Sequence, residues 1–251
     1  MRSASRVAAL YDIHGNLQAF DAVLEDVRKA RVELIVIGGD VLPGPMSAET
    51  LSRLSALDVP IECIHGNGER VALAQIAGND ISEVPEPHRD AIRWDAARVS
   101  HEHRAWLSGW PPTCRVAIRG IGEVLFCHAT PRNDTECFTR VTAEERLAPA
   151  FAGVDASLVV CGHTHMPFDR TVGRVRVVNA GSVGMPFSQP RGAYWLLLGP
   201  DVEFRRTDYD FASAAEQMRS TGFPQADLAV RYVLEPPPEA DTLQLFATVE
   251  L

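Results

Sequence analysis

Two carboxylates, one carboxamide and four histidines stand in five short polar segments, each directly after an apolar run. Arg6–Tyr11 leads into Asp12-Ile13-His14-Gly15-Asn16, and Leu34–Ile37 into Gly38-Gly39-Asp40. Ile61–Ile64 leads into His65-Gly66-Asn67-Gly68-Glu69. Later runs lead into Cys127-His128-Ala129-Thr130-Pro131 and Gly162-His163-Thr164-His165. In an extended segment residues i and i+2 point to the same side, so Asp12 and His14 are expected to face one cavity, as are His163 and His165. These residue types bind cations. One zinc ion takes four ligands, whereas Asp12, His14, Asp40, Asn67, His128, His163 and His165 suffice for two ions, especially if one carboxylate bridges. Mixed nitrogen and oxygen ligands admit manganese, iron, cobalt, nickel or zinc without choosing among them. Two divalent ions, two aspartates and a bridging hydroxide leave a net charge of about +1, which attracts an anionic ester. Ions about 3.5–4 Å apart can hold a hydroxide, orient the ester and neutralise charge in the transition state.

Ligands in open α/β sheets gather at the carboxyl ends of strands, so the five segments need strands that deliver them to one crevice. Leu17, Phe20, Val23, Leu24 and Val27 recur at helical spacing, with Asn16 as the expected N-cap. Ser47 is the expected cap of a second helix, buried through Leu51, Leu54 and Leu57. Strands alternating with helices predict parallel pairing with helices on the faces. Residues 71–110 read as a mainly helical, cap-like stretch. Val124–Cys127, Leu158–Cys161, Arg174–Val178 and Tyr194–Leu198 are strands with shorter links, predicting a second, more antiparallel sheet facing the first. From about residue 210 the tail shows two possible short helices and Pro236-Pro237-Pro238. The organisation expected is one domain over 1–251, with an extension from about 201.

His101 and His103 share the i, i+2 spacing but lie in a helix-like stretch, where such residues diverge around the axis. They are expected as solvated or capping residues. His65, two positions before Asn67, is expected to pack beside the site.

The 251 residues are 46% apolar, enough for a sizeable core, and carry a net charge of −9. No basic cluster is present, which disfavours sequence-independent binding to nucleic acid. A small phosphorylated substrate remains compatible, because metal ions supply local positive charge. No apolar run approaches membrane-spanning length. The opening apolar run is too short for a signal-peptide core, giving the expectation of a cytoplasmic protein. Five cysteines without close pairs argue against a disulfide framework or cysteine zinc site. Cys63, Cys127 and Cys161, in apolar runs, are expected as buried core residues.

The ordered set Asp-x-His, Gly-Asp, Gly-Asn, a lone His and Gly-His-x-His resembles the calcineurin-like metallophosphoesterase superfamily over about residues 6–198. Asn179-Ala180-Gly181-Ser182-Val183-Gly184 is similar to the element that often closes the core in its small bacterial phosphodiesterase branch. The resemblance implies a four-layer α/β/β/α sandwich with two facing mixed β-sheets, and a phosphodiesterase using a metal-bridging hydroxide for in-line attack. It implies that Asp12, His14 and His165 hold one ion and Asn67, His128 and His163 the other, with Asp40 bridging. Asp40, Asn67 and His128 become the expected catalytic residues and manganese the favoured metal. Thr130, Arg132 and Arg191 are candidates for holding the substrate phosphate, since arginine forks match phosphate oxygens.

The family's Gly-Asn-His-Asp/Glu stands here as Gly66-Asn67-Gly68-Glu69, without the histidine credited with leaving-group protonation. General acid catalysis contributes about 10²–10⁴-fold, so weak activity on poor leaving groups is expected. Two alternatives share the fold: a metal-binding scaffold without catalysis, as in a retromer subunit, and a phosphomonoesterase or protein-phosphatase-like enzyme. The Gly181-Ser182-Val183-Gly184 stretch approaches a serine-hydrolase elbow, but no histidine follows Ser182 to complete the required order.

Overall fold

The computed structural model describes residues 1–249. In chain order the strands are β1 (Arg2–Ala4), β2 (Val7–Leu10), β3 (Leu34–Ile37), β4 (Ile61–Cys63), β5 (Thr113–Ile118), β6 (Gly122–Cys127), β7 (Leu158–Cys161), β8 (Phe168–Val172), β9 (Val175–Asn179), β10 (Ala193–Leu198) and β11 (Val202–Thr207). The helices are α1 (Leu17–Lys29), α2 (Ser47–Ser55), α3 (Asn67–Ile76), α4 (Glu86–Ala96), α5 (His101–Leu107), α6 (Glu144–Phe151), α7 (Phe211–Ser220), α8 (Ala226–Leu234) and α9 (Glu239–Ala247).

Strands β2, β3 and β7 are buried at every position, as expected where sheets are covered on both faces. One sheet runs β11-β10-β2-β3-β4, and the other β1-β5-β6-β7-β9-β8. Alternate residues separate the layers. Val7, Ala9, Leu34, Val36, Phe126, Val160 and Val178 meet between the sheets. Ala8, Leu10, Ile35 and Ile37 face outward onto Phe20 and Val23 of α1 and Leu51 and Leu54 of α2. Leu125, Val159 and Val177 face the opposite way, onto Leu147 and Phe151 of α6. The result is two facing mixed sheets with helices outside, in four layers.

Two expectations about the sheets need correction. Tyr194–Leu198 lies within β10, which belongs to the first sheet, antiparallel to β2 and β11. The second sheet is not mainly antiparallel: β1–β5, β6–β7 and β7–β9 are parallel, and only β5–β6 and β8–β9 are antiparallel. The link from β6 to β7 contains α6, and a crossover of that kind returns a strand in the same direction.

Asn16 caps α1 as expected, its Oδ1 accepting from Ala19 N at 3.1 Å. The buried stripe is Ala19, Phe20, Val23, Leu24 and Val27. Ser47 does not cap α2. It is the first helical residue, behind Met46, and its hydroxyl donates to Gly44 O and Asp95 Oδ2. Leu57 lies beyond the helix end, partly buried against the same core. The tail holds three helices rather than two, α9 following the proline run. Helices α7 and α8 form a small core of their own with Met46. Gln225, just before α8, donates to Pro87 O at 2.8 Å, joining the tail to α4. Cys63, Cys127 and Cys161 are buried and free. Among the described residues no helix is long and apolar enough to cross a membrane.

Helix α4 reaches the loop after β3 through buried Asp95, which accepts from Gly44 N at 2.8 Å and Ser47 Oγ at 3.0 Å. Burial lifts this carboxyl to about 7, the hydrogen bonds from Gly44 and Ser47 opposing only part of the rise. The folded chain therefore retains a proton that the unfolded chain loses near its ordinary value of 3.8. Stability from this group falls as pH rises across that interval and is flat above it. Asp95→Asn keeps an acceptor for Gly44 without the ionisation. Thermal melts should show the variant gaining on the wild type by about 1–3 kcal/mol between pH 5 and pH 8; a constant difference would mean the carboxyl titrates normally.

Candidate metal centre

The loops after β2, β3 and β7 deliver their polar residues in an unusual backbone conformation. Asp12 (φ 53°), His14 (φ 47°), Asp40 (φ 53°), His163 (φ 65°) and His165 (φ 57°) are all left-handed. Such geometry is unfavourable for L-residues and persists where surroundings enforce it. Asp12 N–H donates to Gly39 O at 3.1 Å, His14 N–H to Asp40 O at 3.0 Å and His163 N–H to Asp12 Oδ2 at 2.9 Å. Ser182 Oγ donates to Asp12 O at 2.7 Å. Asp12 and His14 therefore converge through a hydrogen-bonded turn rather than through the alternation of an extended strand.

The seven expected ligands meet in one place, as two linked clusters. Asp12, His14 and His165 form one, and Asp40, His128 and His163 the other, with candidate ligand atoms within 4.8 Å of one another in each. In the first, His14 Nε2 lies 3.2 Å from His165 Nε2, which lies 3.5 Å from Asp12 Oδ1. In the second, His128 Nε2 lies 3.5 Å from Asp40 Oδ2 and 3.1 Å from Asn67 Oδ1. Asp40 Oδ2 is also 3.8 Å from His14 Nε2 and so stands between the clusters.

The outer ring nitrogens are tied back. Nδ1 of His14, His128 and His165 faces the carbonyl oxygens of Pro43 (3.0 Å), Gly38 (2.9 Å) and Met185 (2.6 Å). With the proton on Nδ1, each Nε2 lone pair points inward, the usual preparation of a metal-binding histidine. His163 is reversed: its Nε2 faces Thr135 O at 3.2 Å, leaving Nδ1 toward the cluster.

Electrostatics make a cation the natural occupant. Asp12 Oδ1 is buried without a hydrogen-bond partner. Burial raises the Asp12 and Asp40 carboxyls, but His165 and His128 respectively outweigh it and hold both below the usual range. Burial lowers His128, yet Asp40 and Asp12 push it up to about 10. Burial and His128 push His163 down to about 4. A cation at these nitrogens requires His128 to release its proton. The donor set, with its orphaned oxygen and inward lone pairs, fits divalent ions.

Glu69 has a function that its motif concealed. It is fully buried and accepts backbone N–H groups of Asp40 (2.8 Å), Val41 (2.8 Å), Leu42 (3.1 Å) and Gly66 (2.9 Å). The readable signal was a glutamate three residues after Gly66, where a helix N-terminus offers free N–H groups. Gly68 donates its N–H to Asp40 Oδ1 at 2.8 Å. A Cβ at Gly68 would lie 1.9 Å from Leu42 O, so the loop after β3 fills the space a side chain would need. His65 packs beside the site, its backbone N–H donating to Pro111 O at 3.1 Å and its Nδ1 buried without a hydrogen-bond partner.

The proposed phosphate-holding residues are not brought to the cleft. Thr130 Oγ1 donates to Glu136, and Arg132 is ion-paired with the same carboxylate. Arg191 stacks on Phe211 at 4.4 Å and donates to Leu234 O. Nearer acceptors satisfy each side chain, and none lines the cavity beside the clusters. Arg70, which sequence reasoning missed, does line it, held by Asp134 at 2.7 Å and by Glu83.

Paired carboxylate–histidine clusters at strand ends between two mixed sheets define a candidate site for divalent cations. Residues 6–198 match the calcineurin-like phosphoesterase superfamily domain, and the chain belongs to that superfamily, whose members use divalent metal ions. An uncharacterized protein of Methanocaldococcus jannaschii is 24% identical, the match covering 88% of this chain and 95% of the relative. The crystal structure of a metallophosphoesterase from Sphaerobacter thermophilus is similar with TM-score 0.70 and 26% identity, over 92% of this chain and 98% of that one. That of a hypothetical protein from Pyrococcus horikoshii OT3 has TM-score 0.75 and 19% identity, over 91% and 97%.

Because Leu42 O occupies the space beside Gly68, Gly68→His should not restore a general acid. The expected result is a lower melting temperature and slower turnover of every phosphate ester. Faster hydrolysis of alkyl esters by this variant would show that the loop yields to the imidazole.

Proposed function

We propose that the chain is a dinuclear metal-dependent phosphodiesterase acting on a small phosphorylated substrate in the cytoplasm. Asp12, His14 and His165 would hold one ion and Asn67, His128 and His163 the other, with Asp40 shared. Manganese is the favoured metal among manganese, iron, cobalt, nickel and zinc. The observation that carries this reading is Asp40 Oδ2, 3.8 Å from one cluster's His14 and 3.5 Å from the other's His128.

Divalent ions in such a site supply Lewis acidity toward a phosphoryl oxygen and a nucleophilic water at neutral pH. The chain's own residues do the positioning. Gly38 O and Pro43 O fix the tautomers of His128 and His14, and Gly68 N–H and Glu69 hold Asp40. In hydrolysis the water oxygen bonds to phosphorus, the bond from phosphorus to the leaving oxygen breaks, and the water's protons end on the released alcohol and buffer. With no side chain at position 68 to protonate the leaving oxygen, the reaction favours leaving groups that depart as stable anions. Convergence of all seven donors supports metal binding, and turnover in the assay below separates catalysis from a metal-binding scaffold role.

A panel of esters assayed with added manganese tests the reading. Aryl diesters should turn over at least about 10²-fold faster than alkyl monoesters, the scale of a missing general acid. Equal rates would refute the diesterase preference. Chelation should abolish activity, and manganese should restore it. Asp40→Asn should lose nearly all turnover and bound metal while circular dichroism stays unchanged; normal rates would rule out the shared carboxylate.

A further inference from the structure

The clusters open into a cavity of about 580 Å³, bordered on one side by His14, Asp40 and Asn67. A phosphoryl group fills only part of such a space, which falls within the range that encloses organic ligands. Beyond the clusters the wall carries Arg70, Glu83, His88 and Gln225 beside an apolar set drawn from separate parts of the chain: Phe187 after β9, Ile92 on α4, Phe223 before α8, and Leu228 and Tyr232 on α8. Phe187 stands 4.7 Å from the His165 ring and 5.1 Å from the Tyr232 ring, centroid to centroid. An aromatic path therefore runs from a candidate metal ligand into the cavity. Phe187, Leu228 and Tyr232 are only partly buried, so the protein's own core does not account for their placement.

Charge on the same wall points the same way. Among the described residues, Arg70 is the one lysine or arginine on it, and Asp134 and Glu83 already neutralise it. A second phosphate deep in the cavity would find no free lysine or arginine and would lie near Glu83, also on the wall. A flat, uncharged ring would find stacking partners and apolar contact.

We propose that the substrate is a singly phosphorylated ester whose organic group is an uncharged aromatic ring system, seated against Phe187, Leu228 and Tyr232 while the phosphoryl group sits at the clusters. This rests on the phosphoesterase reading and adds to it the recognition of the group beyond phosphorus. The wall favours an aromatic ester over a small alkyl one and rejects substrates bearing a second phosphate.

Two diesters with the same leaving group isolate the effect: phenyl p-nitrophenyl phosphate and methyl p-nitrophenyl phosphate. In the manganese-loaded wild type, kcat/KM for the phenyl ester should exceed that for the methyl ester by about 10–100-fold, the effect of burying roughly 100 Å² of apolar surface. Leu228→Asp and Tyr232→Ala should each bring that ratio within about threefold of one. A wild-type ratio near one, or variants that keep the full ratio, would overturn the proposal. If neither ester is hydrolysed with any of the five metals, the phosphoesterase reading itself fails. Calorimetry then decides the cavity separately. Diphenyl phosphate should bind the manganese-loaded wild type at least about tenfold more tightly than dimethyl phosphate and lose that advantage in Leu228→Asp; equal binding would overturn the aromatic site.

Discussion

The buried carboxylate of Glu69 holds together the loops on which the metal centre depends. Four backbone N–H groups from two loops converge on it, three of them consecutive from Asp40 to Leu42. Left-handed Asp40 could not persist as an isolated turn. It persists because the following amides have a common acceptor that their own loop does not supply. Burial and the negative charge of Asp40 push the Glu69 carboxyl up to about 7, against the pull of the donated hydrogen bonds. A divalent ion at Asp40 would relieve that repulsion, so cation binding and loop geometry support one another.

The same logic extends across the site. Asp12 accepts from His163 N–H through one oxygen and leaves the other toward the clusters. Its carbonyl accepts from Ser182 and Gly184. Loops from both sheets are thereby joined, and the small residues that close the core serve this packing rather than nucleophilic chemistry. A Cβ at Gly184 would lie 1.7 Å from Ile13 O, so only glycine allows the two loops to approach. Rigidity of this kind keeps lone pairs of like character together at distances they would otherwise avoid.

Around this fixed centre the chain places less constrained parts. The α3–α4 segment and the α7–α8 pair have small hydrophobic clusters of their own and meet over the cleft through Gln225 and through Trp94 edge-on to Phe223 at 5.3 Å. The centre is thus built from strand ends and the cavity wall from helices outside residues 6–198 as well as inside them. Chemistry and recognition can vary independently in such an arrangement.

Composition, apolar runs and the order of polar motifs were enough to read the strands that carry the site, the helix capped by Asn16, the superfamily, and the residues that the structure gathers into two clusters. These features are local: a short apolar strand, a cap and a turn each depend on neighbours in sequence. The tertiary structure alone decided that β10 joins the first sheet, that Glu69 holds the Asp40 loop, that Leu42 O fills the space beside Gly68, and that Arg132 and Arg191 are engaged away from the cleft. It also brought Phe187 and Tyr232, far apart in sequence, within 5.1 Å of each other. Long side chains choose the nearest partner in space, and sheet neighbours are chosen by burying both faces at once, so neither choice is written in the spacing of residues along the chain.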